Sequence, residues 1–301
     1  MTSLPDITFL ALGESLVDLI SDGMVSSLED APSFHRFAGG QAANVALNMA
    51  RLGIPSALGS CVGQDGFGRY LQRELSKANV LTDYIQITDQ APTTLVPVSR
   101  QTQTPDFILY RGADQHLQLT TGLKKAVIQA RAVHTSAFAL SHQPARDTIV
   151  QLLEKAYQAG KLISLDPNYH PRLHPDHPDF NAFLEELYPL VTVTKPSLDD
   201  GARIFGQGLS PQEILDHFLA LGPEMVVLTM GGKGALIGTA AGEKYHLHAN
   251  PISIGDVTGA GDAFWAGLLA GLLDEQPLVD ASRLSKPVSE FKNGQVRHTD
   301  D

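Results

Sequence analysis

Short apolar runs recur along the chain, and each ends in polar or glycine residues. Helical patterns, with apolar residues three and four positions apart, lie between several of them. Apolar strands joined by helices are typical of a mainly parallel sheet covered on both faces. The apolar runs are residues 7–12, 57–62, 133–140, 162–165, 190–193 and 225–228, and the helical patterns are residues 43–52, 67–77, 147–159 and 211–221. The last pattern has a marked start, because Ser210 and Glu213 have capping-box spacing around Pro211.

Two stretches, residues 18–37 and 93–116, break this alternation. Their β-type residues and polar turns predict a small β lid, with edge strands or long loops as the alternative. From about residue 274 the chain becomes polar and irregular, and we expect a frayed tail. We therefore predict one domain over residues 1–301, carrying a lid and an irregular C-terminus.

Composition and charge narrow the class of protein. The 301 residues carry 22 Lys and Arg against 33 Asp and Glu, a net charge of −11, with no concentrated basic cluster. Nucleic-acid binding is therefore not expected. No apolar run approaches the ~20 residues that span a bilayer, and no signal-like segment is visible, so we expect no membrane association and a cytoplasmic protein. The single cysteine, Cys61, excludes an internal disulfide, and we predict a small core residue there.

The sequence DVTGAGD at residues 256–262 leads directly into an apolar helical pattern. Small residues before a helix let backbone N–H groups converge, and the helix dipole adds positive character, so Gly259, Ala260 and Gly261 are suited to hold a phosphoryl group. Asp262 is then placed to accept a proton from an attacking hydroxyl. The alternative is that Asp262 only caps the helix and the glycines only turn the chain.

A second glycine motif, GGQAAN at residues 39–44, also opens a helical pattern. The paired Gly39 and Gly40 permit close backbone approach, and Asn44 can donate and accept hydrogen bonds, as a polyhydroxyl ligand requires. Asp18 can add a carboxylate acceptor for sugar hydroxyls. Taken alone, a Gly-Gly turn before a helix is common in proteins and needs no functional role, and Asp18 is equally consistent with a solvated loop.

Several polar residues directly follow apolar runs and are expected at the carboxyl edge of the sheet, where ligands bind in parallel sheets. They are Asp166, Lys195, Thr229 and Asp256. The chain lacks Walker A spacing and a dinucleotide fingerprint, so P-loop and Rossmann interpretations are disfavoured. Gly231 to Gly234 follow a run and are consistent with a nucleotide-lining turn or with a plain turn between strands.

The two glycine motifs together resemble the two signatures of the ribokinase-like (PfkB) carbohydrate kinases. The similarity extends from Ile7 to about Leu273 and includes GQDGFG at residues 63–68. It implies an α/β/α sandwich with a β lid and transfer of the ATP γ-phosphate to a hydroxymethyl group. Asp262 would be the catalytic base, and Gly259, Ala260 and Gly261 the anion hole.

The resemblance also implies the binding residues. Asp18, Gly39, Gly40 and Asn44 would bind the sugar; Thr229, Gly231 and Gly234 would border the nucleotide, and we assign Lys195 to the nucleotide as well. Asp256 would lie near a monovalent cation, so K⁺ is expected beside ATP and Mg²⁺. The magnesium-linked Asn-x-x-Glu motif matches only loosely at residues 197–200, which leaves Asp200 as the metal candidate.

The substrate is inferred from two further segments, YRGAD at residues 110–114 and DPNY at residues 166–169. They look most like bacterial fructokinases and the related 2-keto-3-deoxygluconate kinases, although His170 stands where fructokinases usually have arginine. We predict fructose as substrate, contacted by Tyr110, Arg111, Asp166 and Asn168. In the acid-sugar case Arg111 would bind the carboxylate, and its alternative role is a surface salt bridge.

Other functions stay open. Further C-terminal helices that the family normally has are not visible after Leu273, so a non-catalytic sugar- or nucleotide-binding homologue is the main rival. A nucleoside kinase is a weaker one. A homodimer formed through the lid is a further expectation.

Overall fold

The computed structural model describes residues 6–101, 106–171, 180–248 and 260–275. Within them a nine-stranded sheet has the order β12-β11-β10-β9-β8-β7-β1-β4-β5, in which the seven strands from β10 to β5 are parallel and β11 and β12 form an antiparallel edge. The strands are β1 Phe9–Leu12, β4 Ser56–Gly63, β5 Ile85–Thr88, β7 Ala132–Ser136, β8 Leu162–Asp166, β9 Val193–Thr194, β10 Met225–Thr229, β11 Ala235–Thr239 and β12 Lys244–Leu247.

Helices cover both faces of this sheet. On one face α1 (Gln41–Arg51), α2 (Gly66–Lys77) and α8 (Ala260–Leu273) pack into a single apolar cluster with the strands. On the other face a second cluster includes residues of α3 (Thr121–Gln129), α4 (Ala145–Gln158), α5 (Phe180–Leu187), α6 (Leu198–Phe205) and α7 (Pro211–Ala220). Every residue of β1, β4 and β7 is buried, as expected for central parallel strands. The predicted three-layer α/β/α architecture is confirmed.

A second, three-stranded sheet forms the lid. Strand β2 (Leu16–Met24) pairs antiparallel with β3 (Phe34–Gly39) and parallel with β6 (Leu95–Arg100). Its small apolar core consists of Leu16, Val96 and Phe138. Four of the six residues of β3 are exposed, so the lid contributes far less buried surface than the main sheet. The predicted lid is present, with β2 and β3 slightly outside the expected bounds of 18–37.

Several sequence-based boundaries were wrong. The run 133–140 is a strand only to Ser136, because residues 137–140 turn back, with the Leu140 N–H donating to the Ala137 carbonyl. In the run 190–193, Pro189 lies in a 3₁₀ turn and the strand shortens to Val193–Thr194. The predicted capping box of α7 is confirmed at Ser210 and Glu213. Cys61 is a buried core residue, as expected.

A turn between strands at residues 231–234 was one alternative drawn from the sequence, but the antiparallel pairing of β11 and β12 was not predicted, because neither strand has the long apolar run of the central ones. Within the described ranges no helix is long and apolar enough to cross a membrane. The predicted tail from about residue 274 lies, from residue 276 onwards, outside the described residues.

Candidate active site

A cavity of about 380 Å³ lies between the carboxyl ends of the main-sheet strands and the lid. It collects residues from both glycine motifs and from the ends of β8 and β9, as the crossover topology of a parallel sheet requires. Among its described lining residues are five acidic side chains and one lysine. The lining consists of Glu14, Leu16, Asp18, Gly40, Gln41, Asn44, Val96, Phe138, Asp166, Asn168, Lys195, Ser197, Asp200, Gly261 and Asp262.

Asp262 lies in the first turn of α8 and faces this cavity. The side-chain amide of Asn44 donates a hydrogen bond to Asp262 Oδ2 over 2.9 Å. This contact joins the second glycine motif to the first across 218 positions of sequence. Because Asp262 sits beside the N-terminus of a 14-residue helix, an anion next to it would meet the positive end of the helix dipole. Gly259 and Asp256 lie outside the described residues, as does the side chain of Ala260.

The joint between lid and sheet requires glycine at two positions. A methyl group on Gly39 would lie 1.9 Å from Asp18 Oδ2, so the Asp18 carboxylate packs directly on the Gly39 backbone. Gly40 has a φ of 101°, and a methyl group there would lie 2.5 Å from the Glu14 carbonyl oxygen. The two glycines thus let strand β3 turn into α1 with the Asp18 carboxylate at the cavity wall.

A buried ion pair closes another side of the cavity. Lys195 Nζ lies 2.8 Å from Asp166 Oδ2, and the Gln41 side-chain amide donates to the same oxygen over 3.0 Å. Burial alone would lower the pKa of Lys195, but the Asp166 carboxylate outweighs burial and raises it, so the lysine is cationic. A methyl group on Gly261 would lie 3.9 Å from Lys195 Nζ, which places this charge beside the start of α8.

Glu14 is one of three buried acids that line the cavity, with Asp166 and Asp200. Its Oε1 accepts the Gln41 backbone N–H over 2.6 Å, and its Oε2 accepts the Ser136 hydroxyl over 3.1 Å. Burial raises the pKa of Glu14 to about 7, with a smaller contribution from the charge of Asp114. Glu14 is therefore partly protonated at neutral pH.

Asp200, the predicted metal candidate, lines the cavity but is engaged in holding the chain. Its Oδ1 accepts the Tyr169 N–H over 2.6 Å, and its Oδ2 accepts the Ser197 N–H over 2.8 Å as part of the α6 capping box. Burial and the charge of Asp166 raise its pKa. Among the described residues no group of three or more acidic, histidine or cysteine side chains is placed to hold a metal ion. Any Mg²⁺ in this part of the site would take most of its oxygen ligands from water or from a bound phosphate.

The residues assigned to the nucleotide lie along the same edge, next to the cavity. Thr229 ends β10 and is bridged to Ser197, which lines the cavity. Gly231 begins and Gly234 directly follows a 3₁₀ turn between β10 and the antiparallel β11, with φ of 57° and 91°. The segment connects two strands and has open space at Gly231, and its role in lining a nucleotide stays a prediction.

Three predicted sugar contacts, Gly39, Tyr110 and Arg111, are not among the described residues that line the cavity. Tyr110 is 57% exposed and pairs by its backbone with Leu95 on the lid edge. Arg111 is buried beneath the lid, so the alternative of a surface salt bridge is wrong. Its three nitrogens donate to Asp114 Oδ2, Ser141 Oγ and the Phe138 carbonyl, and its guanidinium lies 4.1 Å from the centre of the Phe138 ring. Arg111 thus supports Phe138, which does line the cavity.

Sequence reasoning missed three buried polar residues, of which Glu14 and Gln41 line the cavity and His134 lies behind it. Gln41 joins the other two, because its backbone N–H donates to Glu14 and its side-chain oxygen is hydrogen-bonded to His134. The signal that indicates them is the polar triplet HTS at residues 134–136 inside an otherwise apolar strand. Polar residues in a strand buried on both faces need partners, and those partners form the site.

A second cavity, of about 450 Å³, lies at the opposite edge of the sheet, beside residues that precede β1, β4 and β7. Its wall is mostly apolar, with Ile54, Pro55 and Leu273 among its residues. Arg131, one of its few charged groups, donates to the Leu273 carbonyl over 2.6 Å. It has no acid paired with a helix N-terminus, so we assign the chemistry to the smaller cavity.

Comparison with known proteins agrees with this geometry. Residues 8–292 match the family described as pfkB family carbohydrate kinase. The chain belongs to the PfkB family. It is therefore a carbohydrate kinase, a phosphotransferase that acts on a sugar hydroxyl, and its relationship to fructokinases is shown by sequence and by structure.

Three PfkB relatives illustrate the range. The ATP-dependent 6-phosphofructokinase of Thermoanaerobacterium thermosaccharolyticum is 34% identical over 94% of this chain and 87% of its own length. The fructokinase of Klebsiella pneumoniae is 34% identical over 87% of this chain and 83% of its own. The structure of Halothermothrix orenii fructokinase superposes with a TM-score of 0.83 at 36% identity, covering 97% of this chain and all of that one.

Proposed function

We propose that the protein transfers the γ-phosphate of ATP to a hydroxymethyl group of a neutral sugar, with fructose as the preferred acceptor. The observation that carries this proposal is the Asn44–Asp262 hydrogen bond inside the cavity. It places a carboxylate suited to deprotonate a hydroxyl next to a group suited to bind one. Asp18 on the facing lid strand supplies a second acceptor for sugar hydroxyls.

The charge of the cavity supports a neutral acceptor. Five carboxylates face it, and its one lysine is already paired with Asp166. The one cationic side chain among the described lining residues, Lys195, is paired with Asp166 and is proposed here to hold the ATP phosphates, so a substrate that carries its own carboxylate or phosphate would approach these acids without a further cationic partner. This disfavours both 2-keto-3-deoxygluconate and a sugar phosphate.

The acid-sugar alternative depended on Arg111. Its guanidinium is held beneath the lid by hydrogen bonds to Asp114, Ser141 and Phe138, and Arg111 is not among the described residues that line the cavity, so it is not placed to take a substrate carboxylate there. We therefore propose that Arg111 positions Phe138. The sugar-phosphate alternative is favoured by the 6-phosphofructokinase relative and is the second candidate to be tested.

ATP is proposed to lie along the edge from Gly261 to Thr229. One similar protein, the sugar kinase PH1459 from Pyrococcus horikoshii, is known in complex with ATP; it is 30% identical, with a TM-score of 0.83. In this chain the start of α8 and Lys195 would hold the phosphates, and Thr229, Gly231 and Gly234 would border the base and ribose. Mg²⁺ would be held mainly by the phosphates, with Asp200 orienting the α6 start rather than forming a cage. Dependence on K⁺ near Asp256 stays a prediction for residues outside the described ones.

The test is a substrate panel at saturating Mg-ATP: fructose, 2-keto-3-deoxygluconate and fructose 6-phosphate, with wild type and Arg111→Gln. We expect kcat/KM for fructose to exceed that for the two anions by about tenfold or more, which is ~1.4 kcal/mol of discrimination. Arg111→Gln should lower all three activities in similar proportion. A higher kcat/KM for either anion, or a loss confined to the acid sugar, would overturn the neutral-sugar proposal.

The non-catalytic rival is tested on the same protein by calorimetry with fructose and a non-hydrolysable ATP analogue. Heat of binding for both ligands without phosphorylated product at saturating Mg-ATP would favour the rival. Turnover of any sugar in the panel excludes it.

We also propose that the lid forms a homodimer. The lid segments expose large apolar side chains that a second copy would cover, namely Met24, Phe34, Phe37, Ile108 and Tyr110. Light scattering should give twice the chain mass, and Phe37→Ser with Ile108→Ser should convert it to monomer. A monomeric wild-type protein would contradict the proposal.

A further inference from the structure

A chain of buried hydrogen bonds runs behind the cavity and through the centre of the sheet. The Trp265 indole N–H donates to Ser164 Oγ over 3.0 Å, and Ser164 Oγ lies 2.8 Å from His134 Nδ1. His134 Nε2 lies 3.1 Å from Gln41 Oε1, and the Gln41 amide continues to Asp166 Oδ2. Trp265, Ser164 and His134 are fully buried.

The donors and acceptors of this chain permit one consistent direction. Gln41 donates its amide nitrogen to Asp166, so its oxygen must accept from His134 Nε2, which therefore carries the proton. His134 Nδ1 is then an acceptor for the Ser164 hydroxyl, and the Ser164 oxygen accepts from Trp265. Burial, with the charge of Lys195, lowers the pKa of His134 to about 3, which agrees with a neutral imidazole.

The two ends of this series of hydrogen bonds lie on the two helices that carry Asp262 and Asn44. Trp265 lies one turn after Asp262 on α8, so a hydrogen bond to the Trp265 indole helps to fix the position of the helix that carries Asp262. Gln41 is the first residue of α1, three positions before Asn44, and it holds Asp166 together with Lys195. The chain passes through β7 and β8, which are rigid central strands.

We propose that His134 is a positioning residue for phosphoryl transfer, which through Ser164–Trp265 and Gln41–Asp166 holds the start of α8 at a set distance from the start of α1. His134 is not itself among the residues that line the cavity, so it acts through its partners. The inference rests on the proposed kinase reaction. A change of about 1 Å between base and acceptor is enough to cost roughly a hundredfold in rate, so even a small shift of α8 would be measurable.

The test compares three variants. His134→Leu removes the hydrogen bonds to Ser164 and Gln41, whereas His134→Gln keeps an N–H donor that can reach Gln41. Thr135→Val, on the same strand, is the control, because it removes one buried hydrogen bond, to the Leu12 carbonyl, and leaves the His134 hydrogen bonds intact. We expect His134→Leu to lower kcat by about tenfold to a hundredfold with less than about twofold change in KM for ATP. His134→Gln should recover to within about threefold of wild type, and Thr135→Val should stay within about twofold.

A purely structural role would give another result. In that case kcat would follow the free energy of unfolding, and His134→Leu and Thr135→Val would lose activity in proportion to their loss of stability. That outcome would overturn the proposal. If His134→Leu does not fold, Gln41→Leu takes its place, since it cuts the chain at the next residue.

A spectroscopic readout makes the test independent of turnover. Trp265 is the single tryptophan, so its indole N–H gives one assignable NMR signal. The panel sugar with the highest kcat/KM should shift this signal in wild type and His134→Gln but not in His134→Leu; equal shifts in all three overturn the proposal. If no sugar is turned over, the proposed function fails. The ¹⁵N signals of His134 then still test the proposed series of hydrogen bonds, because a proton on Nδ1 or a charged ring at pH 7 would contradict it.

Discussion

The main sheet and the lid sheet differ in how much of their surface is buried. The central strands of the main sheet are buried on both faces between two apolar clusters, whereas the lid has a three-residue core and exposes most of β3. The catalytic candidate Asp262 is carried by a helix packed on the main sheet, and Asp18 is carried by the lid. If Asp262 is the base and Asp18 binds the sugar, as proposed, the firmly packed part holds the group that must be placed accurately, and the weakly packed part holds a group that can close over the substrate.

The largest expected effect tests whether the rigid part carries the chemistry. Asp262→Asn keeps the shape and the acceptor for Asn44 but removes the base, so kcat should fall by roughly 10²–10⁴-fold. The free energy of unfolding should change by less than about 1 kcal/mol. Steady-state kinetics with fructose and urea unfolding measure the two quantities. Near-normal kcat in a folded variant would show that Asp262 is not the base.

The next largest effect is a pH dependence of the free energy of unfolding, which comes from Glu14 between the lid and the main sheet. Because its folded pKa of about 7 exceeds the ordinary 4.5, folding favours the protonated acid. The stability that this contributes is full below pH 4.5 and is lost as pH rises through about 7. Wild type should therefore lose about 2.5 kcal/mol relative to Glu14→Gln between pH 5 and 8. Urea unfolding across this range checks the sign, and a pH-independent difference would contradict the assignment.

The contrast in packing is tested by one substitution made in both regions. Val226→Ala in strand β10, where the side chain is fully buried, should cost about 2 kcal/mol of unfolding free energy. Val98→Ala in lid strand β6, where the side chain is partly exposed, should cost less than about 1 kcal/mol. Equal costs would mean that the lid is as firmly packed as the scaffold.

The smallest effect concerns the joint between lid and sheet. Gly39→Ala pushes the flexible end of Asp18 away from the cavity wall, so KM for the sugar should rise by about tenfold with little change in stability. Gly23→Ala, in the same lid sheet, meets nothing within 4 Å and serves as the matched control. An unchanged KM for Gly39→Ala would separate Asp18 from sugar binding.

Part of the site was predictable because it rests on local patterns. The two glycine motifs identified Asp262, Asn44, Gly39 and Gly40, and the end of an apolar run identified Asp166. Asp262, Asn44, Gly40 and Asp166 meet in one cavity because parallel strand topology brings all carboxyl ends to one edge. Arg111 could not be placed in this way, because its sequence neighbours do not reveal that Asp114 and Phe138 would enclose it.

By itself the sequence determined the layered α/β class, the lid and the phosphate-type motif before α8, because hydrophobic period and glycine spacing are local properties. Only the tertiary structure decided that Glu14 is buried, that Lys195 pairs with Asp166, and that His134 links two helices through the sheet. The physical reason is that burial, charge pairing and hydrogen-bond direction depend on partners up to 218 positions apart, which a linear pattern does not contain.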